Sequence, residues 1–277
     1  MFKTRLISSI VLVIIFAAAL LVGGNILWCL TLSISLIGMF ELNRVLKNEK
    51  NALGFISYGI CTLYYVCLLL GENHISKMIV ESNYYEIISL VFLLGLLAVY
   101  VFTYPKYTAT DIGMTYLGFF YVAVMLSFIY KIRMVSEVGQ YLVWLVFVCS
   151  WVSDTCAYCV GSMIGKHKLA PVLSPKKSIE GSLGGIMGSV IVGAVYGYFL
   201  QDVITLSITP VIAFGLIGGL GAMISQVGDL AASAVKRNYD VKDYGKLIPG
   251  HGGILDRFDS VIATAPIIFL CFVLAAQ

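Results

Sequence analysis

LISSIVLVIIFAAALLV, residues 6–22, is followed after only Gly23-Gly24-Asn25 by a second apolar run, ILWCLTLSISLIGMFEL, residues 26–42. A helix needs about 20 apolar residues to cross the hydrocarbon core of a bilayer. The first run follows Met1-Phe2-Lys3-Thr4-Arg5 and so resembles the flank of a secretory signal. Its apolar stretch is longer than a signal core and another run starts at once, so it reads as a retained first span. Seven further runs fit the same ruler, at about 53–70, 85–103, 112–130, 140–161, 183–200, 209–232 and 260–275. The expected fold is all-α, a polytopic transmembrane protein of about nine spans.

Composition agrees with that reading. Hydrophobic residues make up 60% of the 277 and charged ones only 12%, with a mean hydropathy of +0.94. Soluble domains carry roughly 25% charged residues, so this chain cannot cover itself with a polar surface. No long linker or low-complexity stretch separates the runs. The whole chain, residues 1–277, is read as a single membrane domain, with residues 150–260 carrying the catalytic loops and span ends.

Orientation follows from Lys and Arg in the short loops, which stay on the cytosolic side. With the N-terminus cytosolic, the inner segments hold Lys3, Arg5, Arg44, Lys47, Lys50, Lys106, Lys166, Lys168, Lys176, Lys177, Lys236, Arg237, Lys242, Lys246 and Arg257. These are fifteen of the 18 basic residues, leaving Lys77, Lys131 and Arg133 outside. Six of the seven cysteines lie in apolar runs without partner spacing. Cys156-Ala157-Tyr158-Cys159 lacks both the βαβ context of a redox motif and the second pair of a zinc site, and reads as small helix residues. The pairs Gly161/Gly165, Gly184/Gly188 and Gly193/Gly197 have the spacing that lets helix backbones approach closely.

Ionisable groups within or at the end of a span are expensive and mark function by default. Asp154 in the sixth run and Asp229 in the eighth are the clearest. Asp229, Ser233 and Lys236 share one helix face, with Arg237 at its edge; the same pattern fits a buried Asp paired to a Lys two turns away. Lys242-Asp243-Tyr244-Gly245 then leads into Pro249-Gly250-His251-Gly252-Gly253, whose glycines let backbone N–H groups approach an anion. Asp256, Arg257 and Asp259 open the last span. Two carboxylates on separate helices, Asp229 and Asp256, with cations nearby, suit a hard cation such as Mg²⁺ completed by phosphate oxygens.

The stretch from Ser233 through Val235-Lys236-Arg237, Lys242-Asp243, Gly245, Ile248-Pro249 and His251-Gly252-Gly253-Ile254 to Asp256-Arg257-Phe258-Asp259 resembles the signature of phosphatidate cytidylyltransferases. The likeness extends to Ser153-Asp154-Thr155, Ala157-Tyr158 and Ser174-Pro175-Lys176-Lys177-Ser178, Glu180-Gly181. Cys156 stands where glycine is expected and Ser178 where threonine is commoner.

The resemblance implies that phosphatidate attacks the α-phosphorus of CTP, giving CDP-diacylglycerol and pyrophosphate. It assigns Asp229 and Asp256 as ligands of Mg²⁺, with Asp259 behind them or on a second cation. Lys236, Arg237 and Arg257 would hold phosphates, and His251 would bond the nucleotide or the leaving pyrophosphate. Asp154, Ser174, Lys176, Lys177, Ser233, Lys242, Asp243, Gly252 and Gly253 would bind substrate. The partners implied are CTP, phosphatidate and membrane lipid, with a homodimer left open and no nucleic acid. The expected location is a bacterial inner membrane with the site on the cytosolic face. A CTP-dependent lipid kinase of the dolichol kinase type and a secondary transporter are the alternatives. The first would release CDP, and the second should show repeat-related halves with broken helices.

Overall fold

The computed structural model describes residues 2–72, 84–135, 138–204, 208–248, 250 and 252–275. Every apolar run becomes a helix: α1 (Phe2–Val22), α2 (Gly24–Val45), α3 (Ala52–Glu72), α4 (Tyr84–Phe102), α5 (Ala109–Met134), α6 (Gly139–Ile164), α7 (Ile179–Phe199), α8 (Pro210–Asn238) and α9 (Leu255–Ala275). Eight of them, α2 to α9, are long and apolar enough to cross a membrane, and α1 is apolar over Ile10–Val22. The protein is a multi-pass integral membrane protein. Gly23 and Gly24 both have positive φ, 70° and 51°, which ends α1 and lets α2 begin at once.

Two helices run past their apolar signal. α8 continues to Asn238 and α9 begins at Leu255. Hydropathy reports contact with lipid, whereas helical hydrogen bonding continues into the polar zone at the bilayer surface. Large apolar side chains such as Ile14, Leu21, Leu94, Val101, Leu183 and Leu216 point outward. Such a surface would drive aggregation in water and is ordinary solvation in hydrocarbon.

The chain packs as two compact units, Met1–Ser127 with Asp243–Asp256, and Phe128–Lys242 with Arg257–Gln277. In the first, α2 is pinned to α3 by polar bonds: Trp28 Nε1 donates to the Tyr65 carbonyl at 2.8 Å, Asn43 Nδ2 to Ser57 Oγ at 2.8 Å, and the hydroxyls of Ser35 and Tyr65 lie 2.7 Å apart. An aromatic cluster of Tyr64, Phe92, Tyr116 and Phe119 joins α3, α4 and α5, with Phe92 and Phe119 edge to face at 5.1 Å. Thr108 and Asp111 form a reciprocal capping box at the start of α5.

In the second unit α7 lies between α6 and α8. Its glycines make this possible: a Cβ at Gly188 would strike the Cys156 side chain on α6, at 2.5 Å from Sγ, and one at Gly193 would strike the Phe214 carbonyl on α8. The basic loop before α7 folds as a small antiparallel hairpin of β1 (Lys168–Ala170) and β2 (Ser174–Ser178). Ser178 caps α7, its hydroxyl accepting from Gly181 N at 3.1 Å. Glu180 anchors the hairpin base, accepting from Lys166 N at 3.1 Å and bonding His167 Nδ1 at 2.6 Å. The seven cysteines are free thiols.

Candidate active site

The two adjacent lysines of β2 differ in burial and partner: Lys176 is exposed, and Lys177 is half-buried and pairs with Asp229 of α8. Each partner of that ion pair keeps 27% of its side-chain surface accessible. Asp154 on α6 is within electrostatic reach of Asp229, Lys177 and Arg257. Asp259 on α9, only 6% exposed, is within reach of Asp229, Lys236 and Arg257. Three acids from three helices thus share their surroundings with three cations, one from the hairpin and two from helices. Lys236 and Arg237 occupy the last turn of α8, where the helix dipole favours positive charge.

Beside this cluster the second unit holds a cavity of about 310 Å³. Its polar lining is Asp154, Lys176, Lys177, Ser178, Ser182 and Gln226, and its apolar lining includes Ala157, Tyr158 and Leu169. Gln226 organises one wall. Its Nε2 donates to Ser153 Oγ at 3.2 Å and to the Ser182 carbonyl at 3.1 Å, and its Oε1 accepts from the Ser182 hydroxyl. One amide on α8 therefore ties α6 and α7 together. Ser174 and Ser233 are half-buried, while Arg237, Lys242, Asp243 and Arg257 are exposed.

Asp256 belongs to the first unit and does a different job there. Only 8% exposed, it accepts from Tyr244 N at 2.8 Å and Gly253 N at 3.0 Å, both through Oδ2, so it closes the signature loop on itself. Gly252 has φ +88°, and a Cβ there would stand 2.9 Å from that same oxygen. His251 lies outside the described residues. Among the described residues no three His, Cys, Asp or Glu side chains form a group able to hold a metal ion by themselves.

A profile of the cytidylyltransferase family matches residues 3–275, nearly the whole chain. The chain belongs to the cytidylyltransferase family. A phosphatidate cytidylyltransferase from Staphylococcus saprophyticus subsp. saprophyticus is 33% identical over 267 residues, covering 96% of this chain and 97% of the relative. One from Staphylococcus aureus has the same identity and coverage. One from Bacillus subtilis is 33% identical over 273 residues, 99% of this chain and 97% of the relative.

In this family member two features escape a motif-based reading. Gln226, an amide in the middle of a span and one turn before Asp229, carries a signal of its own as a costly polar group in the bilayer, but its partners on α6 and α7 are set by tertiary packing. Glu41 and Arg44, at the end of α2, lie about 200 residues before the signature. Glu41 is 3% exposed and accepts from Ile254 N at 3.1 Å and Leu255 N at 2.8 Å. Arg44 donates to the Tyr244 carbonyl.

Proposed function

We propose that this protein transfers the cytidylyl group of CTP to phosphatidate, forming CDP-diacylglycerol and pyrophosphate. The observation that carries the reading is the placement of Lys177: it pairs with Asp229 and also lines a cavity that has polar groups, Asp154, Ser182 and Gln226 among them, and an apolar wall of Ala157, Tyr158 and Leu169. A phosphate headgroup on an acyl-bearing glycerol has that same division, an anion at one end and hydrocarbon at the other. The full-length likeness to phosphatidate cytidylyltransferases supports the same substrates.

A phosphate oxygen of phosphatidate attacks the α-phosphorus of CTP. The bond from that phosphorus to the bridging oxygen of the β-phosphate breaks, and pyrophosphate leaves. The nucleophile is already an anion, so no proton need be removed; the barrier is the approach of two anions, and positioning with charge neutralisation lowers it. Lys177 holds the lipid phosphate, and the exposed Lys176 adds only attraction for it. Lys236, Arg237 and Arg257 hold the nucleotide phosphates, Arg in a fork and Lys as a point charge. Lys242, Asp243, Gly252 and Gly253, with His251 from the sequence, bind the nucleotide.

Mg²⁺ fits the donors at hand. Asp229 offers a hard carboxylate that is balanced by Lys177, and a Mg²⁺ site of one or two carboxylates completed by phosphates needs no three-residue cage. Asp229 is the proposed ligand in the second unit, with Asp259 available to a second cation, while Asp256 keeps its loop-closing bonds to Tyr244 and Gly253. When bound, the ion supplies charge neutralisation on the departing pyrophosphate. By the charge of the loops, the site faces the cytosol, where CTP is present.

The test is purified protein in detergent with CTP, phosphatidate and Mg²⁺. Pyrophosphate and CDP-diacylglycerol in equal amounts are expected. Release of CDP would make it a CTP-dependent lipid kinase, and the absence of any product would remove the enzymatic reading.

A further inference from the structure

The acid that holds the signature loop in place comes from the other end of the chain. α9 begins at Leu255, and the first N–H groups of a helix have no partner within it. Neither Gly253 nor Ile254 has a side-chain oxygen to serve as a cap. Glu41 takes that role from α2, with one carboxylate oxygen on Ile254 N (3.1 Å) and the other on Leu255 N (2.8 Å). Its negative charge also stands at the positive end of the helix dipole.

The same carboxylate accounts for two glycines of the loop. A Cβ built at Gly253 would collide with both oxygens of Glu41, and one built at Gly245 would collide with Oε1. Gly245 and Gly253 are thus glycine because an acid from α2 fills the space where their side chains would be. Arg44, one turn along α2, completes the grip by donating to the Tyr244 carbonyl. The loop is pinned at both ends: Arg44 and Asp256 on Tyr244, Glu41 and Asp256 on residues 253–255.

We propose that Glu41 is a positioning residue of the reaction: it touches no substrate, and it fixes the nucleotide-binding loop and the start of α9 at Leu255. This rests on the loop having the nucleotide role given above. A burial role alone would call for an apolar residue, since an ionised carboxylate inside a protein is costly unless its oxygens are bonded. Here both oxygens are spent on two successive amides of the loop and helix.

The experiment uses the full chain in detergent micelles, with two readouts. Amide exchange follows Ile254 and Leu255, and steady-state kinetics follow CTP and phosphatidate separately. In Glu41→Gln one oxygen becomes an N–H donor facing a backbone donor, so exchange at these two amides is expected to rise by about tenfold or more. kcat/KM for CTP should fall by about tenfold or more, with KM for phosphatidate held within about twofold. Ser35→Ala, which removes a buried bond between α2 and α3 away from the loop, should leave both readouts near wild type. Gly253→Ala should resemble Glu41→Gln in the wild-type background and add little loss in Glu41→Ala, where the space is vacant. Glu41→Asp keeps the charge but is too short to reach both amides, and provides an intermediate case if Glu41→Gln does not fold.

Unchanged exchange at Ile254 and Leu255 in Glu41→Gln or Glu41→Asp would overturn the proposal. So would an equal rise in KM for both substrates, or full additivity of the two Ala changes. An inactive wild-type protein would instead overturn the assigned reaction, leaving the exchange result to stand or fall by itself.

Discussion

Lys177→Met removes a cation from the acid cluster while keeping the length of the side chain. In wild type its ammonium is paired with Asp229 and is within electrostatic reach of Asp154. Two opposite charges about 4 Å apart attract by about 4 kcal/mol at an effective dielectric of about 20. With 27% of each side chain accessible, solvent screening reduces this to roughly 1.4–3 kcal/mol. The change also leaves the two acids repelling an incoming phosphate. Expressed on the transition state, that range is about a 10- to 150-fold loss of kcat/KM for phosphatidate. The assay is CDP-diacylglycerol formation at saturating CTP with phosphatidate varied in mixed micelles. Lys176→Met, one residue away and exposed, should lose no more than about threefold, as expected of an exposed charge. Lys177→Met and Asp229→Asn together should lose less than the product of the two single losses, since they share one interaction. Equal damage from the two lysine changes, or full additivity with Asp229→Asn, would refute the division of labour drawn from the hairpin.

Asp229→Asn should lower turnover by about 100-fold or more and change its Mg²⁺ dependence, while the exposed Asp243→Asn should lose less; turnover against Mg²⁺ concentration for folded protein decides. Asp256→Asn should lower turnover and also speed amide exchange at Tyr244 and Gly253, because its Oδ2 accepts from both; exchange unchanged from wild type would remove its loop-closing role. Gln226→Leu leaves Ser153 and Ser182 without their partner and should cost about 1–3 kcal/mol of stability, read as a lower midpoint of thermal unfolding in detergent. A cysteine placed at Asn238, in a variant lacking reactive native cysteines, should be labelled only once the cytosolic face is opened; labelling in intact cells would invert the topology.

Much of the architecture is legible in the sequence because the bilayer imposes a local rule. A helix must satisfy its own backbone and show hydrocarbon to lipid over a fixed thickness, so each span announces itself within about 20 residues. The paired glycines of α7 are legible for a similar reason, since only small residues at helical spacing permit the close approach seen at Gly188 and Gly193. The hairpin was hidden: Ser174-Pro175-Lys176-Lys177 reads as a basic surface loop, and no local rule states that Lys177 rather than Lys176 turns toward Asp229. The cluster around Asp229 was legible as a set of costly charges, but its neighbours in the second unit are Asp154 and Asp259, brought there by helices α6 and α9.

By itself, then, the sequence determined the helices, their number, the family signature and the costly charges at the span ends, because each depends on residues near one another in the chain. The tertiary structure decided which partner each charge meets. Glu41 shows the difference most plainly. An acid at the end of a span marks itself as unusual, yet nothing within its own helix indicates that it caps a helix more than 200 residues later or that Gly245 and Gly253 are glycine on its account. Such pairings depend on where packing brings distant backbone N–H groups, and no local pattern encodes that.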